Sequence, residues 1–92
     1  MSNILIIDDD PEVCTTMESL VARMAYSCFT ANSLTEGLET LADHDVDVVF
    51  LDVRLPDGDG LSALAQIKDA PSRPEVIILT GRGDPDVPEY RH

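Results

Sequence analysis

The stretch ILIIDDDPEV, from Ile4 to Val13, places three aspartates directly after four aliphatic residues. A short aliphatic run is typical of a strand that is buried on both faces, as the strands of parallel sheets are. Asp10 followed by Pro11 is typical of a helix N-cap with proline at the first helical position. The stretch therefore predicts a strand over residues 3–7 that leads directly into a helix over residues 11–25.

The rest of the chain repeats this alternation of aliphatic runs and helical patterns. Further strands are predicted over residues 27–31, 47–51 and 75–79, and further helices over residues 33–42 and 60–69. Ser33 and Glu36 form a capping box at the start of the second helix. Strands separated by helices indicate an α/β fold with a parallel sheet and right-handed crossovers. With 92 residues, the chain is expected to form one domain over residues 1–92.

The composition argues against several classes of function. Six Lys and Arg residues against 18 Asp and Glu residues give a net charge of -12, which disfavours direct binding to nucleic acid or to an anionic membrane. No apolar run approaches the roughly 20 residues needed to cross a bilayer, and the N-terminus lacks the pattern of a signal peptide. Cys14 and Cys28 lack metal-site spacing and are interpreted as reduced, buried residues of a cytoplasmic protein.

Acidic residues follow two of the predicted strands at the edge where parallel sheets bind ligands. Asp8 and Asp9 follow the first strand, Asp52 follows the third, and Thr80 follows the fourth. If the first and third strands are neighbours, the three carboxylates converge, and their repulsion destabilises the fold unless a cation lies among them. Mg²⁺ binds one or two carboxylates together with phosphate oxygens. The sequence therefore predicts a magnesium site that holds a phosphoryl group.

Asp52 is the candidate nucleophile at this predicted site. An aspartate carboxylate can attack phosphorus and form an aspartyl phosphate, while a cation neutralises the charge of the transferring group. The hydroxyl of Thr80 and nearby backbone N–H groups are candidates for binding the other phosphoryl oxygens. Asp10 is interpreted as a helix cap only, and Asp57 and Asp59 as solvated turn residues.

Three segments of the chain resemble the receiver domain of two-component response regulators. ILIIDDDPEV resembles its first strand and acid pocket, and DVVFLDVRLPDGDG, residues 47–60, resembles its phosphoacceptor strand and loop. EVIILTGRGD, residues 75–84, resembles its fourth strand and is most similar to NtrC-like regulators that activate sigma-54 promoters. The resemblance implies a flavodoxin-like α/β fold with the parallel strand order 2-1-3-4, and regulation of transcription by the full-length protein.

The resemblance implies roles for the residues of the acid pocket. Asp52 would accept a phosphoryl group from a sensor histidine kinase, and Asp9 and Asp52 would bind Mg²⁺ directly. Asp8 would act through a water molecule, and Arg54 would offer its backbone carbonyl to the metal. A domain of this kind takes part in its own phosphotransfer and dephosphorylation, but it is not expected to be an enzyme in its own right.

The resemblance also implies roles for the two loops beside the acid pocket. Thr80 and Gly81 would bind the phosphoryl group and respond to its presence. The phosphoacceptor loop would be shaped by Pro56, Gly58 and Gly60. The family's fifth strand carries a lysine that contacts the phosphoryl group, and this chain has no counterpart, because its only lysine is Lys68 in the third predicted helix.

The match predicts a receiver domain that is truncated at its C-terminus and lacks the fifth strand and fifth helix of the full fold. An uncovered fourth strand is an edge that can pair with another chain, so self-association through this strand and the first helix is expected. Phosphotransfer should be less efficient without the lysine.

Two further functions were weighed against phosphoacceptance. The first is a truncated, non-phosphorylated protein-interaction module on the receiver scaffold, which the missing lysine would allow. The second is an aspartyl-phosphate hydrolase of the haloacid-dehalogenase type. That class needs a D-x-D motif after its first strand, and Arg54 stands where the second aspartate of the motif around Asp52 would be.

Overall fold

Parallel strands and amphipathic helices alternate along the protein, whose computed structural model describes residues 2–55, 57–59 and 62–79. The elements are β1 Asn3–Ile7, α1 Pro11–Arg23, β2 Ser27–Ala31, α2 Leu34–Asp43, β3 Val48–Asp52, β4 Arg54–Leu55, β5 Gly58–Asp59, α3 Leu64–Lys68 and β6 Glu75–Leu79. Within these ranges, no helix combines the length and the apolar character that crossing a membrane requires.

The main sheet has the order β2-β1-β3-β6, and all of its strand pairs are parallel. Because β6 is the predicted fourth strand, this order confirms the predicted flavodoxin-like order 2-1-3-4. The register sets Ile7 opposite both Ala31 and Leu51, and it sets Asp52 opposite Leu79. The carboxyl ends of β1 and β3 therefore lie side by side at one edge of the sheet.

The strand β1 is central and divides the core into two layers. Side chains alternate between the faces of a strand, so Leu5 and Ile7 join the layer that includes Leu41 of α2 and Ile67 of α3. Residues of the other layer are Ile4, Ile6, Cys14 and Val21. Covering both faces explains why the sequence of β1 is continuously aliphatic rather than alternating.

The helix caps explain where α1 and α2 begin. The Asp10 side chain accepts a hydrogen bond from the Glu12 amide at 2.9 Å, as an N-cap does, and Pro11 follows it. Ser33 Oγ accepts from the Glu36 amide at 3.1 Å, and Glu36 Oε1 accepts from the amide of residue 32 at 2.8 Å. In a standard capping box the glutamate accepts from the amide of the N-cap residue, whereas here it accepts from the amide of the residue before the N-cap.

Several element boundaries differ from those predicted. The helix α1 ends at Arg23 rather than at residue 25, because Ala25 has φ 63, a left-handed conformation that cannot continue a helix. Ser33 caps α2, which therefore covers 34–43 instead of 33–42. The strand β3 covers 48–52 instead of 47–51, so Asp52 is its last residue and pairs with β6.

The third helix is shorter than its predicted range of 60–69. The helix α3 has five residues, and Ala63 at its N-cap position provides no side-chain hydrogen bond. Without a capping side chain, the first-turn amides have no local acceptor, and a helix is disfavoured there. Gly60 and Leu61, which begin the predicted helix, lie outside the described residues.

The β4–β5 hairpin was predicted only as a loop. Arg54 pairs with Asp59, and Leu55 pairs with Gly58, in an antiparallel arrangement directly after β3. Each strand has two residues, which is too short for an alternating pattern to be visible in the sequence.

Replacing Gly37 by alanine is expected to destabilise the protein. A Cβ at this position of α2 would lie 2.9 Å from Ile7 Cγ1 and closer still to Cδ1, and Ile7 is fully buried and cannot retreat. Overpacking costs about 1–3 kcal/mol, and alanine regains about 1 kcal/mol of helix propensity, so we expect a net loss of up to about 2 kcal/mol in the free energy of urea unfolding.

The double variant Gly37→Ala/Ile7→Val isolates the contact. The Ile7→Val change removes Cδ1, so Gly37→Ala should cost less in that background than in the wild type. The same cost in both backgrounds would show that Ile7 does not limit the size of residue 37.

Candidate functional site

Three carboxylates meet at the carboxyl ends of β1 and β3. Asp8 and Asp9 directly follow β1, and Asp52 ends β3. One carboxylate oxygen from each lies within 4.8 Å of the other two. Asp8 is 0% exposed and Asp52 is 6% exposed, whereas Asp9 is exposed to solvent. Two buried acids beside a third acid are unusual, since charged residues are rarely buried without compensating interactions. We call these three residues the acid cluster.

Backbone and side-chain hydrogen bonds fix Asp8 at the end of β1. Its amide donates to the Ala31 carbonyl at 3.0 Å and thereby extends the β1–β2 ladder by one residue. Its Oδ1 accepts from the Asp10 amide at 2.9 Å. Its backbone carbonyl accepts from Cys14 Sγ and from Asn32 Nδ2, both at 3.3 Å. The position of this buried carboxylate is therefore set by β2 and by the first turn of α1.

Cys14 is a buried, free thiol beside the acid cluster. Burial raises the pKa of this thiol, and the neighbouring charges of Asp8, Asp10 and Glu18 raise it further. A thiol with a raised pKa stays protonated at neutral pH and serves here as the hydrogen-bond donor to the Asp8 carbonyl. Burial likewise raises the pKa of Cys28, which is also a free thiol.

The backbone that follows β3 contacts the carboxylate of Asp52. The Arg54 amide donates to Asp52 Oδ1 at 3.0 Å. Arg54 is the first residue of the β4–β5 hairpin, so the orientation of this amide depends on the position of the hairpin.

The donor set of the acid cluster fits a single divalent cation. Two ligands on opposite sides of Mg²⁺ lie about 4.2 Å apart, twice the Mg–O distance of about 2.1 Å. One oxygen from each of the three carboxylates lies within 4.8 Å of the others, so small side-chain movements can bring all three to one ion. Hard oxygen ligands of this kind suit Mg²⁺ or Ca²⁺ rather than a soft metal.

Asp57 is more than the solvated turn residue that was predicted from its DGDG context. It is exposed, but its Oδ1 accepts from the Leu34 amide at 2.7 Å, and its Oδ2 accepts from the amide and the hydroxyl of Thr35 at 2.8 and 2.6 Å. These bonds, led by the one from the Thr35 hydroxyl, lower the pKa of Asp57 to about 2. The side chain is therefore ionised at neutral pH and joins the hairpin to the first turn of α2.

Of the remaining predicted site residues, Gly58 lies among the residues that the structure describes and four others do not. Gly58 lies in β5, where an added Cβ would lie 3.1 Å from Leu34 Cδ2. Outside the described residues lie Pro56, Gly60, Thr80 and Gly81. The roles assigned to these four residues stay predictions.

Known protein families and their members match almost the whole chain. A family model described as the response regulator receiver domain matches residues 4–90. The DNA-binding transcriptional regulator NtrC of Escherichia coli (strain K12) is 37% identical over 81 residues, which cover 88% of this chain and 17% of that protein. The chain thus spans less than a fifth of the length of this curated relative.

Solved structures of response regulators share the fold. One from Burkholderia pseudomallei, with a phosphorylated aspartic acid, calcium ion and citrate, matches with a TM-score of 0.83 at 25% identity over 90% of this chain and 49% of that chain. The response regulator protein TrrA from Thermotoga maritima, in complex with Mg(2+)-BeF, matches with a TM-score of 0.80 at 26% identity over 90% of this chain and 72% of that chain.

Proposed function

Since the chain belongs to the response regulator receiver domain family and its relatives include NtrC, we propose that it accepts a phosphoryl group on Asp52 in the presence of Mg²⁺. The acid cluster carries this proposal, because two buried carboxylates and one exposed carboxylate converge where the parallel sheet binds ligands. Of the three, Asp52 ends the strand that leads into the hairpin, and a backbone amide orients its carboxylate.

The transfer is an attack of a carboxylate oxygen on phosphorus. A bond forms between an Asp52 oxygen and phosphorus while the bond from phosphorus to the donor's leaving atom breaks, and the leaving group departs with the electron pair. The Arg54 amide holds Oδ1 and so limits rotation of the nucleophile, which favours an in-line approach.

Asp8, Asp9 and Asp52 would hold the metal ion. Bound among them, Mg²⁺ would supply positive charge that offsets both the repulsion of the carboxylates and the charge of the incoming phosphoryl group. The hydrogen bonds to Asp8 from the Asp10 amide, and to Asp52 from the Arg54 amide, hold two of the three ligands in place before the ion arrives.

The partners and the setting of this reaction follow from the family. Receiver domains of response regulators typically interact with sensor histidine kinases, and we propose such a kinase as the phosphoryl donor. NtrC is named as a DNA-binding transcriptional regulator, which favours a role in regulating transcription and a cytoplasmic location for a protein that contains this domain. Self-association through β6 and α1 stays a prediction.

Incubation with acetyl phosphate tests the proposal. We expect intact-mass spectrometry to detect the addition of one phosphoryl group when Mg²⁺ is present and none when EDTA replaces it. Absence of an adduct over a range of Mg²⁺ concentrations would reject phosphoacceptance and favour the non-phosphorylated interaction module.

A further inference from the structure

We propose that Asp57 is a positioning residue for the phosphoacceptor, because it anchors the β4–β5 hairpin to the first turn of α2 and thereby holds the backbone of Arg54 against Asp52. The inference rests on the proposed function, since it assigns a second residue to the same site. Asp57 itself lies outside the acid cluster and contacts α2 instead.

The first turn of α2 needs the acceptor that Asp57 supplies. Amides in the first turn of a helix have no acceptor within the helix. Ser33 Oγ serves the Glu36 amide, and the first intrahelical bond runs from the Gly37 amide to the Ser33 carbonyl. These bonds leave the amides of Leu34 and Thr35 without an acceptor in α2. Each of the two amides donates a hydrogen bond to one carboxylate oxygen of Asp57. A negative charge is also favoured at a helix N-terminus.

The hairpin is thus held at its first residue, Arg54, and at the end formed by the turn between its strands, where Asp57 lies. At one end, the Arg54 amide bonds to Asp52, whose strand β3 is buried in the sheet. At the other end, Asp57 bonds to α2, and Leu34 packs closely against Gly58. Because the segment between these anchors is short, a shift of the Asp57 end is transmitted to the peptide groups of Arg54. Those groups orient the Asp52 carboxylate.

The helix α2 also contacts the other half of the acid cluster. Gly37 lets the helix approach Ile7 closely, and Ile7 directly precedes Asp8. The same helix therefore packs against the strand that leads into Asp8 and, through Asp57, holds the hairpin that orients Asp52. Asp57, which is exposed and far from α2 in sequence, would in this way affect the position of the Asp52 carboxylate within the acid cluster.

Magnesium titration of Asp57→Ala, followed by calorimetry, tests the proposal. Loss of a group bonded directly to a metal ligand typically weakens metal binding about 10–100-fold. Because Asp57 acts on Asp52 only through Arg54, we expect the Mg²⁺ dissociation constant to rise at the low end of this range, about tenfold. Asp57→Asn keeps an acceptor for one of the two amides and should restore part of the affinity. Thr35→Val, which removes the hydroxyl donor but leaves the loop intact, should have an intermediate effect, and both variants serve if Asp57→Ala does not fold.

Ser33→Ala is the matched control. It removes a hydrogen bond from the same helix terminus without a contact to the hairpin, so it should lower the melting temperature as Asp57→Ala does but leave Mg²⁺ affinity unchanged. Wild-type affinity in Asp57→Ala, or an equal loss of affinity in Ser33→Ala, would overturn the positioning role. Absence of Mg²⁺ binding by the wild type would instead refute the proposed function, so the two failures are distinguishable.

Discussion

Asp52→Asn is expected to abolish phosphoryl incorporation from acetyl phosphate. The amide of asparagine has no anionic oxygen to attack phosphorus, and removal of a nucleophile typically lowers a rate by more than about a thousandfold. The substitution preserves the volume of the side chain, and its carbonyl oxygen can still accept from the Arg54 amide, so the fold of β3 should survive. Intact-mass spectrometry over a time course with Mg²⁺ should detect the adduct in the wild type only.

Asp45→Asn is the control for this experiment. Asp45 is exposed and precedes β3, at the opposite end of the strand from the acid cluster. The Asp45→Asn substitution makes the same chemical change as Asp52→Asn. Incorporation in Asp45→Asn should match the wild type. An adduct that persists in Asp52→Asn at the wild-type rate would move the acceptor to another residue and remove the basis of the proposed function.

The α/β class and its parallel sheet could be predicted from short segments of sequence, whereas the strand order, and with it the meeting of the acids, was implied by the resemblance to receiver domains. The aliphatic run of β1, residues 4–7, has no polar side chain, which fits a strand of a parallel sheet that is covered on both faces. In the strand order of the receiver family β1 lies beside β3, and Asp8, Asp9 and Asp52 then follow at the same edge of the sheet.

The contacts of Asp57 could not be predicted in the same way. Its partners, Leu34 and Thr35, are 23 and 22 residues away in sequence, and the bonds depend on how the hairpin folds after β3. A DGDG segment favours a turn, but nothing in it indicates which amides the aspartate will meet. One signal was present: Ser33 can accept from only one of the first-turn amides of α2, which leaves other amides there to bond either water or an acceptor from elsewhere in the chain.

The predicted end of α1 was wrong for a different reason, because tertiary structure overrides the local helical pattern there. Met24 and Ala25 continue the helical pattern and are good helix formers, so the prediction extended to residue 25. The chain must instead turn there to begin β2 beside β1, where Ser27 pairs with Asn3. Ala25 takes the left-handed conformation that this reversal requires, and the Tyr26 amide returns to the Val21 carbonyl.

Mg²⁺ is expected to raise the melting temperature of the protein substantially, and Asp9→Asn should remove about half of this effect or more. A ligand at a concentration one hundred times its dissociation constant stabilises the native state by about 2.7 kcal/mol, which in a domain of this size corresponds to a shift of roughly 10–20 °C. Loss of a direct carboxylate ligand should weaken binding by at least the tenfold that loss of an outer partner causes, leaving about 1.4 kcal/mol or less at the same Mg²⁺ concentration.

Without metal, the order of stability should reverse. Asp9 adds a third negative charge within 4.8 Å of the buried Asp8 and Asp52, so in EDTA the Asp9→Asn protein should melt above the wild type, because the repulsion falls. Thermal melting of both proteins in EDTA and in excess Mg²⁺ measures this reversal in the order of their melting temperatures. The Asp45→Asn protein should follow the wild type in both conditions. Asp9 is exposed, so the substitution leaves the packing of β1 intact. If Asp9→Asn melts below the wild type in EDTA, the acids do not repel one another enough to need a cation, and the physical argument for a metal at this edge of the sheet fails.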